Sequence, residues 1–175
     1  ASLSPITLCG GDESSRDASL CAACHLISAG ALKTDGKYSC GEDRLALITA
    51  ALEHRINTTE STSMGRLFDA VSAILGIRGY NTYEGECAIA LENTAAQAMD
   101  AGLQPYPLHM AILKNSNILR LDRGGLIRDL TSALRSGADI RSLALGFHEA
   151  VAEAVAGVCT FLREQTGESK AALSG

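Results

Sequence analysis

The chain has 175 residues, of which 46% are hydrophobic, and a formal net charge of −5. This length suits one domain with a substantial core, and the acidic balance argues against a broad nucleic-acid surface, which needs clustered lysine and arginine. Aromatic residues make up only 4% and tryptophan is absent, so a core of Leu, Ile, Val and Ala is expected, which favours packed helices over a β-sandwich.

Helical periodicity dominates the chain. Six helices are predicted, over residues 16–29, 42–55, 64–75, 84–101, 125–134 and 140–165. Residues 1–14 are expected to be irregular with a turn at Gly10 and Gly11, and the polar segments 33–41 and 57–61 are expected to lack regular structure. Ser63 suits the N-cap of the third helix, and Gly76 suits its C-terminal end.

One β-hairpin is predicted after the fourth helix. Gly102 ends that helix, and Pro105 and Pro107 prevent its continuation. Two short apolar runs follow, 108–113 and 118–121, around the polar sequence KNSN, a pattern typical of a hairpin. Together these segments predict a single, mainly α domain over residues 1–175 with one small hairpin.

The chain lacks the sequence features of an exported or membrane-bound protein. No apolar stretch approaches the roughly 20 residues that a membrane span needs, and residues 1–5 lack a signal peptide's basic start and apolar middle. We therefore expect a cytoplasmic location and no membrane contact. The six cysteines are irregularly spaced, and we expect reduced thiols that serve mostly as small core residues.

The sequence CAACH at residues 21–25 is the first candidate for chemistry. It matches the attachment pattern of c-type haem, and its thiols could belong to a zinc site completed by Cys9 or Cys40. Haem attachment needs an export route, and zinc normally needs a second ligand pair, so thiols on a packed helix beside a surface histidine are the simplest interpretation. The four histidines are expected to be structural or exposed, and His148 in the last helix is the first to check.

The second candidate is the start of the third helix. Gly65 lies in its first turn, where glycine costs about 1 kcal/mol relative to alanine, and close approach of a ligand or another backbone would explain it. Arg66, Asp69 and Ala73 lie on the face opposite the apolar stripe. Asp69 is suited to accept hydrogen bonds from two vicinal hydroxyls, as on a ribose, but solvated charges on an exposed face would give the same pattern.

The third candidate is the turn YEGE at residues 83–86, which leads into the fourth helix. Backbone N–H groups around Gly85 could meet an anion or the edge of a base. Glu84 and Glu86 also simply suit the positive end of the helix dipole. The local pattern therefore leaves a binding role and a structural role open.

Taken together, these segments resemble the HypF carbamoyltransferases of nickel–iron hydrogenase maturation. Residues 62–71, TSMGRLFDAV, and 83–88, YEGECA, are similar to the family's TSSAGRLFDAV and YEGQAA. Residues 8–12, 146–148 and 172–175 are similar, in the same order, to LPGGD, to an (A)xFH helix and to the opening of ALSGGVFQN. The resemblance spans nearly the whole chain.

The resemblance implies a fold and an activity. The family's transfer domain belongs to the actin-like ATPase superfamily, so we expect a helical subdomain excised from an α/β transfer domain. The family forms carbamoyl-adenylate from carbamoyl phosphate and ATP and passes the carbamoyl group to the C-terminal Cys of its partner HypE, for the hydrogenase cyanide ligand. The residues implied to bind the nucleotide are Gly65, Arg66, Asp69, Gly85 and Glu86, with Asp69 at the ribose.

This sequence also departs from the family pattern. The family's REPWR is reduced to Arg16, and its metal-binding HHxAH and a further metal-binding Asp would fall before residue 1 and after residue 175. A metal ion is therefore expected only in the full-length protein, and no catalytic residue is assigned to this chain, which alone should be inactive. The alternatives are a non-catalytic helical interaction module, a small c-type haem protein and a relative that acts on tRNA.

Overall fold

A computed structural model describes residues 1–32, 41–115 and 118–173. The helices are α1 (Glu13–Arg16), α2 (Ala18–Ser28), α3 (Glu42–Glu53), α4 (Met64–Ile74), α5 (Glu86–Asp100), α6 (Arg123–Arg135) and α7 (Ile140–Thr166). The strands are β1 (Ser2–Leu3), β2 (Ile6–Cys9), β3 (Thr58–Ser61), β4 (Ile112–Asn115) and β5 (Ile118–Leu121). The predicted loop over 33–41, apart from Gly41, lies outside the described residues, as do Ser174 and Gly175.

The predicted mainly α architecture is confirmed. Each of the six predicted helices is present, with ends shifted by a few residues because end positions depend on caps as well as on periodicity. Ser63 caps α4 as predicted, since its Oγ accepts a hydrogen bond of 3.3 Å from the Arg66 N–H. Gly76 follows the end of α4 with φ of 71°, which is the left-handed conformation common after a helix.

The predicted hairpin is confirmed and belongs to a larger sheet. β4 and β5 pair antiparallel, with Ile112 opposite Leu121. Residues 108–111, which belong to the first predicted apolar run, precede β4 in the chain and are not part of the strand. β1 pairs with β5 in parallel, which gives a three-stranded sheet in the order β1-β5-β4.

The expectation of irregular structure over 1–14 and 57–61 is wrong. β2, whose Ile6, Leu8 and Cys9 are buried, pairs antiparallel with β3. β3 reads TTES and no residue in it is fully buried, so it lacks the apolar alternation by which a strand is recognised. Hydrogen bonds to β2, rather than the side chains of β3, create this strand.

The core lies where α2 packs on α4 and α5 packs on α7. α4 also contacts α5 and α6, which places it at the centre of the molecule. The rings of Phe68 and Phe147 meet edge to face at 4.9 Å and join α4 to α7. Four of the predicted core thiols are indeed buried: Cys9, Cys21, Cys24 and Cys87.

Gly146 allows the segment after α5 to cross α7 in close contact. A Cβ atom at this position would lie 2.1 Å from the carbonyl oxygen of Tyr106. The Tyr106 N–H donates a hydrogen bond of 2.9 Å to the Ser142 carbonyl. No side chain larger than that of glycine fits between the two backbones.

By length and composition alone, α7 could cross a membrane, which corrects the expectation that no segment reaches that length. The core helix of a soluble protein meets the same criterion. A third of the apolar window of α7 is buried in the described structure, and Leu143, Phe147 and Ala150 are among the buried residues of this helix.

Candidate functional site

The two candidate segments meet at α1. The Arg66 Nη1 donates to the Ser14 carbonyl at 3.3 Å. Asn81, in the turn between α4 and α5, donates from its Nδ2 to the Ser15 carbonyl at 3.1 Å and from its backbone N–H to the Arg16 carbonyl at 2.7 Å. Three consecutive carbonyl groups of α1 thus hold the start of α4 and the turn before α5 together.

Asp69 lies inside this junction, with only 1% of its surface exposed. Its Oδ1 accepts a hydrogen bond of 3.3 Å from Asn81 Nδ2, and its Oδ2 lies 2.9 Å from Arg66 Nη2. Among the described residues, Oδ2 nevertheless accepts no aligned hydrogen bond. Burial raises the pKa of the Asp69 carboxyl, and the Arg66 charge and the Asn81 amide oppose that rise.

The alternative of solvated charges on an exposed face is wrong for Asp69, which is buried, and Ala73 on the same side of α4 is buried as well. The hydrophobic stripe of α4 predicts one packed face, whereas α2 and α5 both pack on this helix. Arg66, on the same side, keeps 21% of its side chain exposed. It is therefore the member of the predicted polar face that reaches solvent.

Gly65 is not held close to another backbone segment. In the described part of the chain, the single atom that a Cβ at this position would meet within 4 Å is Ser63 Oγ, at an ordinary contact distance of 3.6 Å. Of the two explanations for glycine here, close backbone approach is thus not supported. The space beside the first turn of α4 is open.

Gly85 is the N-cap residue of α5 and has φ of 80°. This left-handed conformation favours glycine, because a Cβ would crowd the following carbonyl group. Glu86 accepts hydrogen bonds from the Thr82 N–H and Oγ1 at 2.7 and 2.8 Å and pairs with Arg78 at 2.5 Å. The Thr82 backbone bond, with the Arg78 charge, lowers the pKa of the Glu86 carboxyl. The Glu86 carboxylate therefore stabilises the turn that contains Gly85.

Asn81 is the residue of this junction that the sequence analysis missed. It is buried, with 4% of its surface exposed, and its Oδ1 accepts a 2.7 Å hydrogen bond from the Cys87 N–H. The available signal was an asparagine in a turn between two candidate motifs. Asparagine commonly bonds local backbone in turns, so that signal does not single out Asn81.

The CAACH segment forms a different kind of environment. The expectation of a surface histidine is wrong, because His25 is fully buried and neither ring nitrogen has a hydrogen-bond partner in the described structure. Burial, with repulsion from Arg123, lowers the pKa of His25 to about 3. Residues 20–26 of α2 are all buried, so every side of this part of the helix packs inside the core.

The thiols of this segment are buried as well. Cys21 Sγ donates to the Ser14 carbonyl at 3.0 Å, and the sulfur atoms of Cys24 and Cys9 lie 3.8 Å apart. Burial raises the pKa of Cys21 and of Cys24 to about 12, so both stay protonated at neutral pH. Among residues 1–32, 41–115 and 118–173, no group of three or more His, Cys, Asp or Glu side chains could hold a metal ion; Cys40 lies outside these ranges.

His148 has a packing role. Its Nδ1 lies 2.8 Å from the Ala144 carbonyl oxygen of its own helix. Its ring meets Phe68 edge to face at 5.3 Å between centroids. The residue thus extends the aromatic contact between α4 and α7.

A groove of about 720 Å³ lies beside the start of α4. Its lining includes residues 1–3, 60–64 and 171–173 and one face of the second half of α7. None of the five residues predicted to bind a nucleotide lines it. The groove and the Asp69 junction are therefore distinct features of this side of the molecule.

Comparisons with known sequences identify one family over residues 1–175. A family model described as "Carbamoyltransferase, Kae1-like Domain, second subdomain" matches residues 1–175. A Cupriavidus necator protein named "Carbamoyltransferase HypF homolog" is 31% identical, over 99% of this chain and 45% of its own length. The Synechocystis "Carbamoyltransferase HypF" is 33% identical over 66% of this chain and 14% of its own length.

Solved structures show the same fold. A full-length HypF in its phosphate- and nucleotide-bound form aligns with a TM-score of 0.81 at 24% identity, over 95% of this chain and 25% of that chain. The HypF of T. kodakarensis aligns with a TM-score of 0.73 at 22% identity, over 95% of this chain and 22% of its own. The chain thus spans less than half the length of each of these relatives, and it belongs to the HypF carbamoyltransferase family.

Proposed function

We propose that this segment supplies the nucleoside-binding part of a HypF carbamoyltransferase. In this proposal, a complete enzyme forms carbamoyl-adenylate from carbamoyl phosphate and ATP. It then transfers the carbamoyl group to the C-terminal Cys of a HypE-like acceptor in the cytoplasm, for synthesis of the hydrogenase cyanide ligand. Family membership supports the proposal, as does a structurally similar HypF whose solved form contains phosphate and nucleotide.

One observation carries the proposal: in the described structure the Asp69 carboxylate is buried, and its Oδ2 pairs with the Arg66 guanidinium at 2.9 Å without an aligned hydrogen bond. Such an oxygen keeps the capacity to accept a hydrogen bond from another donor. A ribose offers two neighbouring hydroxyl donors, and a carboxylate can accept from both. Gly65 and Gly85 leave open space beside the first turn of α4 and at the start of α5, where a nucleoside would need room.

Entry of a ligand to Asp69 requires a side-chain movement. Asp69 is 1% exposed, and Arg66 is its partner with a solvent-accessible side chain. We infer that Arg66 rotates away from Asp69 when a nucleotide binds, and that its guanidinium then faces the anionic part of the ligand. The ion pair and the bound state would therefore exclude one another.

The residues of this chain bind and orient in this proposal, and none is assigned to the reacting atoms. The described residues do not fit a metal ion, because they contain no suitable group of ligands. The metal ion implied by the family would be bound by residues outside this segment. For the same reason, we propose that the segment alone has no turnover.

The test compares Asp69→Asn with Asp129→Asn in a complete HypF that carries this segment. Asp69→Asn keeps the shape of the side chain but removes its charge, and we expect ATP affinity to fall about tenfold or more. Asp129 is an exposed acid on α6, so its variant should bind ATP normally. Carbamoyl-adenylate formation by Asp69→Asn at the wild-type rate and ATP affinity would refute the role of Asp69.

The isolated segment provides a second test. We expect no ATP hydrolysis dependent on carbamoyl phosphate, since the proposed phosphate and metal ligands lie elsewhere. Such hydrolysis by the purified 175-residue chain would contradict this part of the proposal.

One observation favours the alternative of a non-catalytic interaction module. Asp69 is almost completely buried and paired with Arg66, as a purely structural acid would be. In that case Asp69→Asn would change the stability of the protein and leave ATP binding unaltered. Measuring unfolding and ATP affinity on the same variant separates the two functions.

A further inference from the structure

We infer that Asn81 is a positioning residue that couples the Asp69 carboxylate to the first turn of α5, so that both parts of the proposed nucleoside site respond together. The significance of this coupling for binding rests on the proposed function. The coupling itself is a property of the chain and can be measured without a nucleotide.

Each hydrogen-bonding group of the Asn81 amide is engaged. Nδ2 donates to the Ser15 carbonyl at 3.1 Å and to Asp69 Oδ1 at 3.3 Å, and Oδ1 accepts from the Cys87 N–H at 2.7 Å. The side chain is buried, so water does not compete for these bonds. Because the amide group is planar and rigid, a shift of its nitrogen also displaces its oxygen.

The bond to Cys87 replaces a missing helix cap. The first N–H groups of a helix have no partner within the helix, and a side chain at the N-cap normally accepts from one of them. The N-cap of α5 is Gly85, which makes no side-chain capping bond. Asn81 supplies the capping oxygen instead, from six residues before Cys87.

The hydrogen bonds made by the oxygen and by the nitrogen of the Asn81 amide differ in strength. The bond to Cys87 is 2.7 Å long, whereas the bond to Asp69 is 3.3 Å long and is thus the weaker of the two by length. A ligand hydroxyl that donates to Asp69 Oδ1 would compete with this weaker bond. The amide would then settle towards Ser15 or α5, and the turn that contains Gly85 would adjust with it.

The titratable groups around the Asn81 side chain permit a pH experiment. Arg66 of α4, Cys21 of α2 and Cys87 of α5 influence Asp69 or are influenced by its charge. Burial raises the pKa of Cys21 to about 12 and that of Cys87 to about 11, so neither thiol ionises in acid. Glu86, beside Cys87, has a lowered carboxyl pKa whereas that of Asp69 is raised, so the Glu86 carboxyl resonance is followed as well, to assign each component of the Cys87 shift to its own acid.

The experiment follows the backbone amide resonance of Cys87 and the side-chain carboxyl resonance of Asp69 by NMR between about pH 3 and 8. In the wild-type chain, we expect the Cys87 amide to shift with the same midpoint as the Asp69 carboxyl. In Asn81→Leu, that component should disappear and the Asp69 midpoint should rise further. Asn93→Leu, an exposed position on α5, is the control and should behave as wild type.

A second variant keeps the inference testable if Asn81→Leu does not fold. Asn81→Asp retains an oxygen for the Cys87 N–H but replaces the NH₂ group that donates to Asp69. Two carboxyl groups at this distance share a proton, so the Asp69 midpoint should rise while the Cys87 amide stays hydrogen-bonded. An Asp69 midpoint that is unchanged in Asn81→Asp would overturn the inference, as would a folded Asn81→Leu whose Cys87 amide still follows Asp69.

ATP separates this inference from the proposed function. In a complete HypF, we expect Asn81→Leu to weaken ATP binding about two- to tenfold, the effect of one lost hydrogen bond, and Asn93→Leu to have no effect. Normal ATP affinity in Asn81→Leu, with Asp69→Asn impaired, would refute the positioning role alone. Normal affinity in Asp69→Asn would refute the proposed function, whereas the pH coupling in the chain would still be judged by its own midpoint.

Discussion

Two buried polar sites, in the neighbouring helices α2 and α4, differ in whether their polar groups have hydrogen-bond or ion-pair partners. His25 of α2 is enclosed by the core, and its ring nitrogens make no hydrogen bond to any residue that the structure describes. Asp69 of α4 is equally buried but meets Arg66 and Asn81, which are themselves held by α1. By pattern alone, CAACH matches a cofactor-attachment motif, whereas the pattern around GRLFD also fits solvated charges. The polar residues that converge from other elements are what distinguish the second site.

The comparison predicts opposite energetic effects. An unpartnered polar group in a core destabilises the folded state, so replacing it by an apolar group should help. A buried charge with partners leaves those partners unsatisfied when it is removed. The effects of substitution at positions 25 and 69 should therefore differ in sign.

The largest expected effect is that of Asp69→Ala. It leaves Arg66 without its ion-pair partner and Asn81 Nδ2 with one acceptor fewer, so we expect a loss of about 2–4 kcal/mol in the free energy of unfolding. Urea denaturation of the purified chain measures this. Asp129→Ala, at an exposed position, should change stability by less than about 0.5 kcal/mol. Equal effects of the two variants would remove the distinction drawn for Asp69.

The pH dependence of stability should reveal His25. Its folded-state pKa, about 3, lies below the ordinary value of about 6.5, so the unfolded chain binds a proton first as the pH falls. The free energy of unfolding should therefore decrease by about 1.4 kcal/mol per pH unit below about pH 6.5, or by about 2 kcal/mol between pH 7 and pH 5. Urea denaturation of wild type and His25→Leu at both pH values isolates this contribution. An equal loss in both proteins would contradict it.

At neutral pH, His25→Leu should increase the free energy of unfolding by about 1–2 kcal/mol, because two unpartnered ring nitrogens are replaced by apolar surface. Thermal unfolding at pH 7 measures the gain. His109→Leu, at an exposed position, is the matched control and should have little effect. Destabilisation by His25→Leu would mean that the ring has partners, such as a buried water.

The smallest effect is expected for Gly65→Ala, and it sharpens the comparison by separating stability from binding. Alanine should stabilise α4 by about 1 kcal/mol, since the space beside Gly65 is open in the described structure. If a nucleoside uses this space, ATP affinity in a complete HypF should fall while the melting temperature rises. Unchanged affinity would remove Gly65 from the proposed site.

The sequence predicted the helices well and the surroundings of each side chain poorly. Hydrophobic spacing determines that residues 64–75 form a helix, but it does not reveal that α2 and α5 both cover it, and so the burial of Asp69 was missed. For His25 a usable signal existed, because residues 20–27, LCAACHLI, are apolar on nearly every side of the helix, a pattern that indicates burial. β3 depends on pairing with β2, which is a property of the fold and leaves no pattern in TTES.

The contact of Gly146 with Tyr106 limits how this molecule can be recombined. The two backbones meet without room for a methyl group, so the segment before β4 and the first half of α7 have to be exchanged together. A chimera that takes only the long helix from a relative would keep its fold where that helix also has glycine at this crossing. In a helix with any other residue at this position, even alanine, the side chain would push the crossing segment, and β4 after it, out of place.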